Sequence, residues 1–305
     1  GSRCAAKEAS AAGLHWTFAP MVDISWDARW GRVMEGAGED PYYGSLVAKA
    51  RVRGLQGDDL SKENTILSCI KHFAGYGAST AGKDYNSVDM SMGQFANFYM
   101  PPYKAGAEAG AATFMSAFND FNNEPATGSS FLLRELLKNQ WGFKGFVVSD
   151  WGSVGEMINH RYAKDEKEAA YKGIKAGLDM EMVSECYSKN LITLIKEGKV
   201  SVKLVDDAVR RILEQKYKLG LFDAPFRYCD EERERTVIGS EESRKEACYV
   251  AERSVVLLKN EGAVLPLSPS VKKVALVGAL AKSQKDMCGA WSCAEVSKVV
   301  TLYEA

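Results

Sequence analysis

Apolar residues in this chain fall into short runs that end on polar or charged residues. Between those runs, apolar positions recur every three or four residues. The clearest run is Phe146-Val147-Val148, bounded by Gly145 and Gly152 and finishing in Ser149-Asp150-Trp151. A run this short and β-rich suits a buried parallel strand better than a helix. His15–Ile24 reads the same way, as a strand with a polar end. So do Ile66–Ile70, which ends in Lys71-His72, Ala112–Phe118, which ends near Asn119, and Gly177–Met182, with acidic residues at its end. The intervening periodicity predicts helices over residues 4–12, 44–56, Met92–Glu108 and about Ala169–Lys175. Another helix, capped by Ser129 or Ser130, buries Leu132, Leu133, Leu136 and Leu137. Two more fill residues 189–219, the second capped by Ser201, carrying an apolar face that includes Val209 and Leu213, and closed by Gly220. The stretch from Asp27 to Tyr43 holds three glycines, a proline and many charges, and is expected to be an irregular loop.

Strand then helix, repeating every roughly 30–50 residues, is the signature of a parallel α/β fold. Polar residues recurring at strand ends favour a TIM-type (β/α) barrel, because the C-terminal ends of its strands share one active face. A doubly wound sheet would also alternate. Eight strands are not found, so the barrel is expected to be incomplete, entered after its first strand. Residues 1–222 are assigned to the barrel and 223–253 to a charged linker and connecting helix. Residues 254–305 are read as the start of an α/β sandwich domain, with the apolar run Val255–Leu258 followed by a strand at Val274–Gly278. Val277-Gly278-Ala279 alone lacks the glycine fingerprint of dinucleotide binding.

Composition narrows the chemistry. The chain has 305 residues, 46% hydrophobic and 26% charged, with a net charge of −1. That balance is ordinary for a globular protein and gives no electrostatic reason to expect nucleic acid or an acidic membrane as partner. No apolar run approaches the ~20 residues that span a bilayer. Seven scattered cysteines and three histidines form no metal-ligand pattern, so neither a metal nor a cofactor is expected. Cys288 and Cys293 are near enough in sequence to pair, yet nothing in their spacing requires it. The chain opens on Gly1-Ser2 without an initiator Met, resembling a vector scar, so the lack of a signal peptide says little about compartment.

The candidate chemistry sits at the strand ends. An aspartate beside an indole suits a sugar, since the ring offers an apolar platform and the acid offers reactivity. An N-capping Asp150 and a core Trp151 are the structural alternative. Lys71-His72 at another strand end and Arg32 in the loop after a third add donors for hydroxyl groups. They also stabilise the charge of a nearby carboxylate. An ionised aspartate is what a retaining glycosidase uses as nucleophile.

The motifs WGRVMEGAGEDPYY, IKHFAGYGAS, KDYNSVDMS, PPYKAGAEAG, FMSAFN, QWGFKGFVVSDWG and VVLLKN, in this order, resemble glycoside hydrolase family 3, particularly its bacterial β-glucosidases. The resemblance covers nearly the whole chain. It implies a barrel joined to an α/β sandwich domain and retaining, exo-acting removal of a β-linked sugar from a non-reducing end. By motif, Asp150 corresponds to the nucleophile. Arg32, Lys71 and His72 would hold the sugar at the cleavage position, Met115 and Phe118 would line its pocket, and Trp151 would wall the leaving-group subsite. Phe118 stands where many relatives have Tyr. A further sugar-binding aspartate from the first barrel strand, and the general acid/base glutamate of the second domain, have no counterpart here. Glu156, six residues after Asp150, is the local carboxyl nearest in sequence and is expected to face solvent. The stretch from Gly75 to Ser91 lacks the histidine of the family's N-acetylglucosaminidases, so glucosidase or xylosidase is preferred. The resemblance further implies an oligosaccharide or aryl or alkyl β-glycoside as partner, a homodimer as one option, and a periplasmic or secreted location. The rival readings are an aldolase-like barrel with Lys71 as Schiff-base lysine and a sugar-binding remnant without turnover.

Overall fold

Four strands lie parallel in one sheet: β1 (Cys69–Phe73), β2 (Thr113–Ser116), β5 (Phe146–Trp151) and β6 (Met180–Met182), in the order β1-β2-β5-β6. Between β2 and β5, β3 (Asp120–Phe121) and β4 (Glu124–Pro125) form a small antiparallel hairpin. The computed structural model describes residues 1–289, 291–292 and 295–305, so Cys293 lies outside the described residues. The chain divides into two compact units, Gly1–Glu252 and Arg253–Ala305, and the sheet belongs to the first.

The predicted strand over His15–Ile24 is only partly realised. The segment runs parallel to β1 but pairs with it only at Trp16–Leu67 and Met21–Lys71. Pro20 sits between those bridges and has no N–H to give the ladder, which accounts for the broken pairing. Hydrogen bonds still tie the segment down, including Cys69 N–H to Ala19 O at 2.7 Å and Val22 N–H to Lys71 O at 2.8 Å.

Side-chain alternation gives the sheet two apolar faces, as expected of buried parallel strands. Ile70, Phe114 and Val147 pack under the helices with Tyr103, Leu132, Leu133 and Ile174. On the opposite face Cys69, Met115, Phe146 and Val148 cluster with Trp16, Met180 and Met182. This α/β architecture is that of part of a barrel wall: helices on one side, a second buried layer on the other.

The helices start and stop for local reasons. Asp40 caps Pro41–Gln56, accepting the Tyr42 and Tyr43 N–H groups at 2.7 and 3.0 Å, with Pro41 at the first helical position. Met92–Glu108 is not one α-helix. A wide π-type turn over Phe95–Tyr99 precedes Pro101–Glu108, because Pro101 and Pro102 have no N–H for the usual ladder. Glu166–Ala176 stops at Gly177, whose φ of 106° suits glycine. Ser201 caps Val202–Lys218, yet Val209 and Leu213 of its predicted apolar face remain exposed.

The second unit contains short 3-10 turns and, among the described residues, no strand. Val274–Gly278 is expected to be a strand, and Val255–Leu258 is a comparable apolar run. Both are exposed and have no ladder partner among the described residues. An apolar run becomes a strand only when a neighbour takes up its backbone groups, and none of the described residues does so here.

Candidate active site

β5 sets the position of the central carboxyl. Phe146, Val148 and Asp150 share one face of the strand, so two apolar residues bury the sheet side and the third reaches its C-terminal rim. Gly145 lets β5 begin close against β2: a Cβ there would stand 1.9 Å from Ala112 O. Asp150 is 8% exposed. Its Oδ1 accepts the Trp151 N–H at 2.7 Å, while Oδ2 has no accessible surface and no hydrogen-bond partner. Burial pushes this carboxyl above the ordinary aspartate range. His72, the Trp151 amide, Lys71 and Arg32 pull the other way.

His72 and Lys71 come from β1, which pairs through β2 to β5. The His72 Nε2 lies 3.6 Å from Asp150 Oδ2, and its Nδ1 lies 2.8 Å from Asp23 Oδ2. Lys71 is half-buried. Burial, then Arg32, lowers its ammonium below the usual range, partly offset by Glu35 and Asp150. Arg32 is gripped by Glu35 in a two-pronged ion pair, Nε–Oε1 at 2.6 Å and Nη2–Oε2 at 2.9 Å. Its guanidinium lies 5.7 Å from the Tyr76 ring centre. Burial alone would lower Arg32, but Glu35, Tyr76 and Asp23 together carry it above its ordinary value.

The apolar candidates occupy three different situations. Phe118 is buried and stacks near Tyr85, ring centres 4.3 Å apart, with Tyr76 at 5.9 Å. Met115 lies within the buried layer with Cys69, Phe146 and Val148. Burial pushes the Cys69 thiol in that layer up to about 12. Trp151 is 65% exposed and turns its indole to solvent at the rim. Arg32, Lys71, His72 and Asp150 thus act on one another, Phe118 stands in an aromatic wall with Tyr76 and Tyr85, and Met115 is buried beside Cys69, Phe146 and Val148.

Glu156 departs from its expected solvent-facing position. It lies in the helix Ser153–Asn159, half-buried, and its Oε2 has neither accessible surface nor a hydrogen-bond partner. Burial first, then the charge of Asp150, raises its carboxyl above the ordinary range. The glycine turn at Gly152 (φ 70°) reverses the chain after β5 and returns the helix toward the strand end, which periodicity alone does not reveal.

Asp23 and Tyr103 were not singled out from the sequence. Asp23 is buried and bonds His72 twice, at the backbone N–H (2.9 Å) and at Nδ1 (2.8 Å). Tyr103 donates its hydroxyl to Asp23 Oδ1. The available signal for Asp23 was the one that marked Asp150: an aspartate closing an apolar run. Among the described residues, no group of three or more His, Cys, Asp or Glu is placed to hold a metal ion. No helix of the described residues is long and apolar enough to cross a membrane.

Residues 2–215 match the glycosyl hydrolase family 3 N terminal domain, and residues 255–305 match the family's C-terminal domain. The chain belongs to glycosyl hydrolase family 3. It is 47% identical to a periplasmic beta-glucosidase of Salmonella typhimurium, over 97% of this chain and 39% of that protein. It is 38% identical to a beta-xylosidase of Formosa agariphila, over 94% of this chain and 41% of the relative. Among solved structures it resembles a beta-glucosidase from Listeria innocua in complex with glucose, with a TM-score of 0.95 and 43% identity. That match covers 99% of this chain and 42% of the Listeria chain. The family 3 chain described here thus spans about two fifths of the length of these relatives.

Proposed function

We propose that this family 3 chain supplies the nucleophile and the sugar-holding residues of a retaining, exo-acting β-glycosidase, with a non-reducing-end β-linked glucose as the preferred substrate. The observation that carries this reading is the Asp150 carboxylate. It has one oxygen anchored by the Trp151 N–H and the other buried, unpartnered and 3.6 Å from the His72 imidazole. A carboxylate so held presents a lone pair that no protein donor consumes.

In this reading the Asp150 carboxylate attacks the anomeric carbon as the glycosidic C–O bond breaks, forming a glycosyl-aspartate ester that water then hydrolyses. Arg32, Lys71 and His72 bind the sugar hydroxyls. The positive charge of Lys71 and Arg32 also favours an ionised Asp150 against the cost of its burial. Met115 and Phe118 close the apolar side of the sugar, and Trp151 walls the leaving-group side. Substrates are oligosaccharides or aryl and alkyl β-glycosides, met in the periplasm or outside the cell. The division into a barrel over residues 1–222 and a sandwich domain from 254 belongs to the same proposal.

The β-xylosidase relative supports a second reading, β-xyloside cleavage by the same residues. Nitrophenyl β-glucoside and β-xyloside compared on this chain decide between them. Nitrophenol leaves without full protonation, so the assay reads the nucleophile directly. Faster glucoside turnover that disappears in Asp150→Asn is the expected result. Faster xyloside turnover would favour the second reading, and sugar binding without turnover in the unmutated chain would favour a remnant. Borohydride trapping of a carbonyl substrate on Lys71 would instead point to aldolase-like chemistry.

A further inference from the structure

The hydrogen bonds around Asp23 impose an arrangement on His72. Asp23 Oδ2 receives the His72 backbone N–H at 2.9 Å and stands 2.8 Å from His72 Nδ1. Its Oδ1 receives the Tyr103 hydroxyl. That hydroxyl accepts the Gly75 N–H at 3.2 Å and has a single proton to give. The His72 carbonyl is also within its reach, at 2.9 Å, but Asp23 Oδ1 is the nearer acceptor. The Asp23 side chain is fully buried, so its charge depends on these donors. With both oxygens already accepting, the facing Nδ1 completes the set only as an N–H donor.

We propose that Asp23 is a positioning residue, whose carboxylate holds the His72 imidazole with Nδ1 protonated and Nε2 turned toward the free oxygen of Asp150. Carboxylate-held imidazoles elsewhere work in this way, since the partner on one ring nitrogen decides what the other presents. The Tyr76 ring packs edge-on against His72, ring centres 5.1 Å apart, and opposes a flip of the imidazole. Nε2 then stands 3.6 Å from Asp150 Oδ2, too far for a direct hydrogen bond and close enough to set the electrostatics of that oxygen. Without Asp23 the imidazole would be free to present either nitrogen to the sugar and to Asp150. The kinetic consequence rests on the reading of Asp150 as nucleophile; the tautomer does not.

The chain contains three histidines, His15, His72 and His160, so long-range 15N–1H correlation of the full chain resolves every imidazole. The expected spectrum has His72, assigned by its loss in His72→Asn, protonated at Nδ1. A His72 protonated at Nε2 alone would overturn the proposal, whether or not the chain turns over substrate. On nitrophenyl β-glucoside, Asp23→Asn is expected to lower kcat by about 10²-fold or more with little change in KM. Tyr103→Phe removes a neighbour of the same carboxylate but leaves the imidazole pair, and is expected to lower kcat less than about threefold. Equal losses in the two variants, tracking their loss of melting temperature, would mean that Asp23 only ties its segment to β1. Absence of turnover in the unmutated chain would count against the proposed function, leaving the spectrum to decide on Asp23.

Discussion

At the scale of single residues, the site concentrates charge that burial makes costly. Asp150 is the sharpest case, its carboxyl raised by desolvation despite His72, Lys71 and Arg32 nearby. A carboxyl raised in the folded state contributes its full stability below the unfolded value. That contribution is lost as pH climbs through the ordinary aspartate range to the raised one. At neutral pH the ionised Asp150 is therefore a net burden on the fold. Asp150→Asn should melt higher than the unmutated chain at pH 7, by about 2–4 °C for a gain on the order of 1 kcal/mol. The difference should vanish below the ordinary aspartate range, and thermal melts at the two pH values check the sign. The same variant should lose nitrophenyl glucoside turnover by about 10³-fold or more. The place of Asp150 at a strand end was legible because a short, continuous apolar run between two glycines points to the residues that close it. Asp23 closed a similar run, but no sequence pattern says that this segment lies against β1 or that its acid faces His72. Glu156 was misread because a helical position says nothing of the turn that precedes the helix.

At the scale of elements, β5 is held by its neighbours at the end opposite the site. Asp179, just before β6, accepts the Val147 N–H at 2.8 Å, and both its oxygens accept from the Lys138 ammonium at 2.7 Å. Burial pulls Lys138 down to about 8 even with that partner. The pair and the strand thus share one buried carboxylate. Asp179→Ala leaves a buried ammonium and a strand N–H without it, and should cost about 3–5 kcal/mol. Urea unfolding of the variant measures this, and a loss under 1 kcal/mol would show that the ammonium escapes to water. Gly145→Ala should also destabilise, because its methyl group meets the Ala112 carbonyl and the Phe143 ring at 2.6 Å. The four strands of the parallel sheet and most helices of the first unit could be read from periodicity and caps, while His15–Ile24 forms only isolated bridges and the β3–β4 hairpin left no such pattern. The strand expected at Val274–Gly278 could not be secured that way, since an apolar run does not state whether a partner strand exists.

At the scale of the whole molecule, a parallel sheet between helices and a second apolar layer carries Lys71, His72 and Asp150 on strand ends, while loops bring in Arg32 and Phe118. The alternation of strand and helix made the fold class legible, and the ordered motifs made the family legible. Which groups meet across the sheet depends on register and on loop paths that no linear pattern encodes. The central claim is that Asp150 is the group that bonds to the sugar, and covalent trapping tests it most directly. A 2-deoxy-2-fluoro-β-glucoside with a good leaving group, followed by mass spectrometry of peptides, should add one fluoroglucosyl mass to the peptide containing Asp150 and none to Asp150→Asn. A label on Glu156 or another carboxyl, or labelling that persists in Asp150→Asn, would contradict it.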